Sequence, residues 1–345
     1  MNVPILEKIA ENRSYFLQVI TTITDAFSSQ GHLVDPSFSD MTQESILNLV
    51  KGTIFLFVTA LGIVGNIIVF VNFVCSFWRG DQKKSIHLIL IHLAFANTII
   101  LLSKGLLRAI TAFGLRNFLD DTGCKILVYL ERVARDFSIC TSTLLTVVQA
   151  ITISPRSSLC WRFKPKTPWK ILPLFLFFWI LNSLKIINLL HYITNNRKNM
   201  SEAAKTNNYC SFQPESQEIK WILLILMAIH SAMFQGVMGG ASGYMLFLLH
   251  KHHQRVLYLQ SSHLHKSLPE MKAAKSVLLL MFCFLFLYWT DYIFSFFLNS
   301  FLQNNSMILN VQEFLTIGYP FLSPFVLIHR EGNLDSCKPW RRPRH

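Results

Sequence analysis

A set of ionisable and hydrogen-bonding side chains lies within apolar segments of this 345-residue chain. Charged groups in such segments are costly to bury in a membrane and by default indicate a functional interior site. Together they predict a cavity for a polar small-molecule ligand, with Arg135 as the preferred contact. The candidate residues are Lys104, Tyr129, Glu131, Arg132, Arg135, Asp136, Lys185, Asp291 and Glu313.

Four of these residues follow one another in a spacing that also permits a purely structural role. Glu131 and Arg135 carry opposite charges four residues apart, and so do Arg132 and Asp136. Residues at this spacing are neighbours on the surface of a helix. Such pairs could neutralise each other without any ligand. The sequence leaves both roles open.

The elements that carry these residues are predicted to be transmembrane helices. The chain is 52% hydrophobic and only 15% charged, whereas soluble domains are about 25% charged. A helix needs about 20 mainly apolar residues to cross a bilayer. Seven segments qualify, and they are residues 52–77, 86–107, 124–153, 169–193, 219–249, 273–298 and 311–328.

These segments predict an all-α integral membrane protein, a seven-transmembrane-helix bundle in contact with membrane lipids. We assign residues 1–45 to an extracellular N-terminal arm, 46–330 to the bundle and 331–345 to a short basic cytoplasmic tail. With the N-terminus outside, the candidate charges gather in the outer half of the bundle. Arg135 and Asp136 then lie about 16 to 18 Å below Cys124 along the third helix.

Two features of the loops favour this orientation. Lys and Arg residues concentrate in the segments that would be cytoplasmic, as the positive-inside rule requires. This distribution also accounts for the net charge of +13 without a nucleic-acid partner. Three N-x-Ser/Thr acceptors for glycosylation, at Asn12, Asn199 and Asn304, all fall in outer segments. The orientation therefore predicts that all three can be glycosylated.

The cysteines predict one disulfide bond. Of the seven cysteines, Cys124 and Cys210 are the two that this topology places outside, in an oxidising compartment. Two outer cysteines usually pair. The bond would hold the loop before the fifth helix across the mouth of the bundle.

Sequence signatures of enzymes are absent. The chain has no H-E-x-x-H, G-x-S-x-G, P-loop or dinucleotide-binding motif. The histidines His250, His252 and His253 lie in a basic segment just after the fifth helix, which indicates a solvated interface more than a metal site. We therefore expect no enzymatic activity, no cofactor and no metal.

Several short stretches, in this order and spacing, resemble the vomeronasal type-1 receptor family of G-protein-coupled receptors, a family of pheromone receptors. The resemblance extends over about residues 46–330. The stretches include GIVGN at 62–66, HLAFAN at 92–97, RVAR at 132–135, QAITISP at 149–155, ASGYM at 241–245 and SPFVLI at 323–328.

The chain also departs from known patterns at a few positions. Ile153-Ser154-Pro155 stands where common rhodopsin-like receptors have an acidic-Arg-Tyr triplet. Within the vomeronasal pattern, Glu131 and Asp136 flank RVAR where the family more often has His and Gly.

The resemblance implies detection of small pheromonal molecules at the plasma membrane of vomeronasal sensory neurons. It also implies activation of an inhibitory-class (Gi/Go) heterotrimeric G protein. The candidate G-protein-facing residues are Ser154, Pro155, Arg156, His253 and Arg255. Two alternatives remain open. One is a bitter-taste receptor, which the chain resembles less in the third helix. The other is a membrane transporter, which would require an inverted repeat.

Overall fold

The computed structural model describes the backbone of residues 36–79, 84–112, 120–155, 170–187, 190, 193–195, 210–212, 217–258, 269–300 and 306–331. Within these ranges the chain forms helices and one pair of short strands. The helices are α1 (Pro36–Arg79), α2 (Lys84–Ala112), α3 (Asp121–Ile153), α4 (Leu172–Ile187), α5 (Gln217–Tyr258), α6 (Pro269–Ser300) and α7 (Ser306–Glu331). The strands are β1 (Ile193–Asn195) and β2 (Cys210–Phe212).

The helices confirm the predicted seven-helix membrane bundle. Five of them contain stretches that are long and apolar enough to cross a membrane, and two shorter apolar stretches lie in α4 and α6. The long stretches are Leu49–Arg79, Ser85–Ile110, Thr122–Ile153, Ile225–Lys251 and Val311–His329, and the shorter ones are Leu172–Ile187 and Val277–Asp291.

The fourth predicted segment was too long at its C-terminal end. Helix α4 ends at Ile187, and Ile193 instead begins β1. β1 pairs antiparallel with β2, with Asn195 opposite Cys210, and both strands contact α3. A small antiparallel sheet therefore interrupts the otherwise all-helical fold between α4 and α5.

Helix α3 is the centre of the bundle and packs against α2, α4, α5 and α6. It begins after Asp120, whose Oδ1 accepts a hydrogen bond of 2.7 Å from the backbone N–H of Gly123 and so caps the helix. Its middle is almost continuously buried because neighbouring helices cover it on several sides. Large fully buried side chains around it are Leu90, Leu93, Phe137, Phe175, Phe284 and Tyr319.

Proline residues in α7 create a polar contact with α1. Pro324 has no N–H, so the carbonyl of Pro320, four residues earlier, loses its backbone donor within the helix. Asn66 Nδ2 on α1 donates to that carbonyl at 2.8 Å. In a membrane, a freed carbonyl needs such a replacement donor. The contact therefore fixes α1 against the proline-containing part of α7.

A second buried polar network connects α2, α3 and α7. Asn97 on α2 donates to Ser323 Oγ on α7 at 2.9 Å and accepts from Ser138 on α3 at 3.0 Å. One turn further along α3, Ser142 and the Tyr319 hydroxyl share a hydrogen bond of 2.9 Å. These bonds satisfy polar groups that would otherwise be costly inside the bundle.

Candidate functional site

The predicted charges on α3 form ion pairs with other helices. Glu131 Oε1 lies 3.8 Å from Lys104 Nζ on α2. Arg135 pairs with Asp291 on α6, and Asp136 pairs with Lys185 on α4. Most of the charged residues that the sequence predicted for the site therefore lie on α3 or contact it, in the part of the helix between Cys124 and its middle. Charged side chains of α2, α3, α4 and α6 take part in these three ion pairs.

Arg135 and Asp291 form the most buried of these pairs. The Asp291 side chain is only 3% exposed, and its second oxygen, Oδ1, accepts a hydrogen bond of 3.1 Å from Thr316 Oγ1 on α7. The Arg135 guanidinium carbon lies 5.1 Å from the ring centroid of Tyr288, an attractive cation–π geometry. Arg135 is therefore held by two side chains of α6, and Asp291 by α3 and α7 together.

A further ion pair, between Arg108 Nη1 on α2 and Glu313 Oε2 on α7, measures 3.3 Å. With it, the contacts close a ring of polar side chains that runs from α7 to α2, then to α3, to α6 and back to α7 through Thr316. Three helices, α2, α3 and α7, each contribute two members of this ring. The two members on each helix are three or four residues apart and therefore lie on one face of that helix. We call this set the four-helix charge ring, and its members are Lys104, Arg108, Glu131, Arg135, Asp291, Glu313 and Thr316.

The structure shows which residues of other helices the charges on α3 contact. The described ion pairs of Glu131, Arg135 and Asp136 all cross between helices, to Lys104, Asp291 and Lys185. The structural and ligand-binding roles of these charges both stay predictions. Arg132 Nη1 contacts Met227 Sδ on α5 at 3.6 Å. Coulomb attraction strengthens where water is excluded, and helix contacts exclude it better than the surface of one helix does.

Sequence reasoning missed Arg108, which it placed in an outer segment beyond the second helix. Arg108 lies inside α2, which continues to Ala112, and its side chain is only 7% exposed. Its position four residues after Lys104 was the available signal, since both then face the same way. Thr316 was also missed, because a lone threonine in an apolar helix usually bonds only its own backbone.

A separate polar group lies where α3, α4 and α5 meet. Lys185 on α4 pairs with Asp136, and its Nζ donates to His230 Nδ1 on α5 at 3.2 Å. One turn before Lys185, Asn182 Nδ2 contacts Cys140 Sγ on α3 at 3.8 Å. We call Asp136, Cys140, Asn182, Lys185 and His230 the α3–α4–α5 polar cluster. The sequence predicted Asp136 and Lys185 but gave no signal for His230 or Asn182.

Tyr129, like Arg132, is a candidate that belongs to neither the charge ring nor the α3–α4–α5 polar cluster. It is half-buried on α3, nearer to Cys124 than the ion pairs, and it is not a member of the charge ring. Tyr129 therefore lies on the same helix as the ring's α3 members, and none of the described hydrogen bonds or ion pairs joins it to the ring.

At the opposite end of α3, one predicted G-protein contact is buried. Ser154 is 3% exposed, and its Oγ lies 2.8 Å from the Tyr244 hydroxyl of α5. This bond ties the ends of α3 and α5 together, so Ser154 does not itself present a free surface. Pro155 beside it is exposed. Arg156 and the side chains of His253 and Arg255 lie outside the described residues.

The disulfide and glycosylation predictions fall partly outside the described residues. Cys124 is buried and disulfide-bonded. The side chain of Cys210 is not described, so its pairing with Cys124 remains a prediction. Asn12, Asn199 and Asn304 also lie outside the described residues. Cys75 near the end of α1 is disulfide-bonded as well, and this bond was not predicted from the sequence.

Comparison with known proteins gives consistent matches over most of the chain. The family described as "Vomeronasal organ pheromone receptor family" matches residues 50–337. Vomeronasal type-1 receptor 4 of Homo sapiens is 32% identical over 288 residues, which cover 82% of this chain and 95% of that protein. Vomeronasal type-1 receptor 3 of Homo sapiens is 35% identical, with 82% and 91% covered.

More distant similarities extend to fish and to a solved structure. Olfactory receptor class A-like protein 1 of Danio rerio is 28% identical, with 83% of this chain and 91% of that protein covered. The crystal structure of squid rhodopsin superimposes with a TM-score of 0.64 at 14% identity and covers 86% of each chain. At this identity the rhodopsin match supports the shared seven-helix fold alone.

Proposed function

Because the chain belongs to the vomeronasal type-1 receptor family, we propose that it detects small pheromonal molecules and signals through a Gi/Go heterotrimer. Membership makes it a chemosensory G-protein-coupled receptor and a multi-pass membrane protein, not an enzyme. The bitter-taste receptor and transporter alternatives are therefore not retained.

The observation that supports ligand binding inside the bundle is the concentration of ionisable groups at the helix contacts. Buried charges in a membrane bundle usually mark a ligand or ion site. The four-helix charge ring and the α3–α4–α5 polar cluster together involve six of the seven helices. A ligand that contacts these groups would change interactions between helices directly. The binding site thus comprises the predicted residues together with Arg108, Asn182, His230 and Thr316.

The proposed mechanism is a shift between two packings of the bundle. A ligand changes that equilibrium only to the extent that it binds one packing better than the other. The Arg135–Asp291 pair links α3 to α6, and Thr316 links Asp291 to α7. A ligand group that takes hydrogen bonds from Arg135 would compete with Asp291 and weaken this link. Helix α6 would then be free to move relative to α3.

We further propose that the N-terminus is extracellular and the C-terminus cytoplasmic in the plasma membrane. This orientation places the ion pairs toward the outside and the Ser154 end of α3 toward the G protein. The proposed coupling surface comprises Pro155, Arg156, His253 and Arg255, with Ser154 as a buried support that fixes α3 to Tyr244.

The test uses cells that express the full chain with a surface tag. A panel of small volatile and non-volatile molecules is screened by calcium imaging in the presence of a promiscuous G protein. Active compounds are then tested for inhibition of cyclic AMP formation, with and without a toxin that uncouples Gi/Go. We expect the toxin to abolish the cyclic AMP response and to leave the promiscuous calcium response intact. A cyclic AMP response that survives the toxin would contradict Gi/Go coupling.

A further inference from the structure

Two buried polar atoms in the α3–α4–α5 polar cluster have no hydrogen-bond partner among the described residues. They are Asn182 Oδ1 and His230 Nε2. Asn182 is fully buried, and its amide nitrogen is directed at Cys140. A buried polar atom without a partner is unusual in a native protein, because the loss of hydration is uncompensated. The carboxylate oxygens of Asp291 in the charge ring, by contrast, both have partners.

The contact with Lys185 determines whether His230 Nε2 donates or accepts a hydrogen bond. An ammonium group can only donate, so His230 Nδ1 accepts from Lys185 Nζ. In a neutral imidazole the proton then lies on Nε2, which becomes a donor. The Asn182 oxygen is an acceptor. The cluster therefore presents one donor and one acceptor, both buried.

Both residues are neighbours of Lys185, Asn182 along α4 and His230 across the contact with α5. Asn182 and Lys185 are three residues apart and share a face of α4. Lys185 in turn contacts His230 on α5. We propose that the cluster binds the hydroxyl group of an uncharged amphiphile, which donates to Asn182 Oδ1 and accepts from His230 Nε2. This inference rests on the proposed function of the chain as a receptor for small molecules.

The ion pair within the cluster argues for an uncharged ligand. Lys185 is already paired with Asp136. A charged head group would compete with one member of this pair and leave the other buried without its counter-ion, which is strongly unfavourable. A hydroxyl group supplies both a donor and an acceptor without disturbing the pair.

Apolar surface for the rest of the amphiphile adjoins the cluster. The His230 ring lies 5.0 Å from the ring of Phe234, and Phe234 packs edge-on against Phe178 at 5.8 Å. Phe178 follows the same face of α4 as Asn182, one turn earlier. A hydrocarbon body attached to the hydroxyl would therefore meet aromatic side chains of α4 and α5.

A buried water molecule could satisfy the same two atoms, so the experiment must separate the two occupants. The full chain is purified in detergent, and its thermal unfolding is measured with primary alcohols from hexanol to dodecanol. Each alcohol is compared with its methyl ether, which lacks the donor, and with the carboxylate of the same length. We expect alcohols to raise the melting temperature and the matched ethers and carboxylates to leave it unchanged.

Variants then locate the effect. Asn182→Leu and His230→Phe should each raise the alcohol concentration for half the maximal shift by about 10-fold, the effect of roughly one hydrogen bond. His230→Phe keeps an aromatic ring against Phe234. Thr98→Val on α2 is the control, because its hydroxyl bonds the Ala94 carbonyl of its own helix. This control should respond to alcohols as the parent does.

The outcomes distinguish the inference from the proposed function. Equal shifts by alcohol and ether, or an unchanged alcohol effect in Asn182→Leu, would overturn the hydroxyl site. If no alcohol stabilises the parent and Asn182→Leu lowers its melting temperature, the cluster holds only a structural water. If the alcohol shift depends on Asn182 but no compound evokes G-protein signalling, the proposed function fails while the site stands.

Discussion

Arg135 on α3 forms its ion pair with Asp291 on α6, and Glu131, one turn earlier on α3, pairs with Lys104 on α2. The charges that follow one another along α3 therefore serve contacts between helices. Since Thr316 also donates to Asp291, a single carboxylate connects α3, α6 and α7. Substitutions at these positions should affect the association of helices more than the stability of α3 alone.

We expect Arg135→Gln to reduce the amount of receptor at the cell surface. The change leaves the Asp291 carboxylate buried without its cation, and breaking a buried pair on one side costs about 3 to 5 kcal/mol. Adding Asp291→Asn should restore surface expression, because the remaining groups are both neutral. Flow cytometry of an N-terminally tagged receptor measures both effects.

The control for this pair is Arg135→Gln combined with Glu131→Gln. It removes the partner that sequence spacing suggested and leaves Asp291 charged. We expect no recovery of surface expression from this combination. Recovery would mean that Arg135 neutralises Glu131 in the functional receptor, contrary to the observed contacts.

The same variants test whether Arg135 contacts the ligand. The loss of one charge-assisted hydrogen bond costs about 1.5 to 3 kcal/mol, so the Arg135→Gln, Asp291→Asn double variant should need at least about 10-fold more ligand. Dose–response curves normalised to surface expression provide the measurement. Full sensitivity in a well-expressed double variant would assign Arg135 a structural role only.

The helices could be predicted from the sequence because the length and hydrophobicity of an apolar segment are determined by that segment's own residues. The end of the fourth segment was predicted less well. Hydropathy does not distinguish the continuation of a helix from a short apolar strand, so Ile193 was assigned to the helix and lies in β1. Similarly, the helix end assigned at residue 107 excluded Arg108, whose aliphatic stem and ion pair allow it to remain inside α2.

For the site, the sequence predicted which charges enter the membrane but not which of them meet. Partner choice depends on how each helix is rotated and packed, and the spacing along α3 contains no information about α6. The neutral members Asn182 and His230 were missed for a related reason. A single polar residue in an apolar helix becomes significant only when its buried neighbours are known.

We expect the proposed orientation to be measurable through the three glycosylation acceptors. Glycosidase treatment should lower the apparent mass of membrane-inserted receptor, and replacing Asn12, Asn199 and Asn304 together by Gln should abolish that change. Glycosylation occurs only on the lumenal side, so the result reports the location of all three segments. Detection of a C-terminal tag on intact, unpermeabilised cells would contradict the orientation.

The predicted disulfide bond makes Cys124→Ser and Cys210→Ser equivalent. Each single change should reduce surface expression to the same degree, and the double change should add nothing, because either one removes the bond. Loss of a native disulfide typically costs about 2 to 5 kcal/mol. Cys283→Ser is the matched control, since Cys283 is a free thiol in α6. Additive losses in the double variant would show that the two cysteines do not pair.

The close approach of α1 and α2 at Gly105 gives a packing test that does not depend on any ligand. A Cβ atom at Gly105 would lie 2.7 Å from Thr59 Cγ2, too close for two carbon atoms. Gly105→Ala should therefore destabilise the bundle by about 1 to 3 kcal/mol, the usual cost of overpacking. Thermal unfolding of the purified receptor in detergent measures the loss.

Thr59→Ser should rescue Gly105→Ala, because serine lacks the Cγ2 methyl group but keeps the hydroxyl that donates to the Phe55 carbonyl at 2.8 Å. Gly236→Ala on α5 provides the comparison, since a Cβ atom there would have no neighbour within 4 Å. That change should be neutral or slightly stabilising, because alanine favours helix over glycine by about 1 kcal/mol. If Gly105→Ala melts at the parent's temperature, or if Thr59→Ser fails to rescue it, α1 and α2 do not meet at this contact.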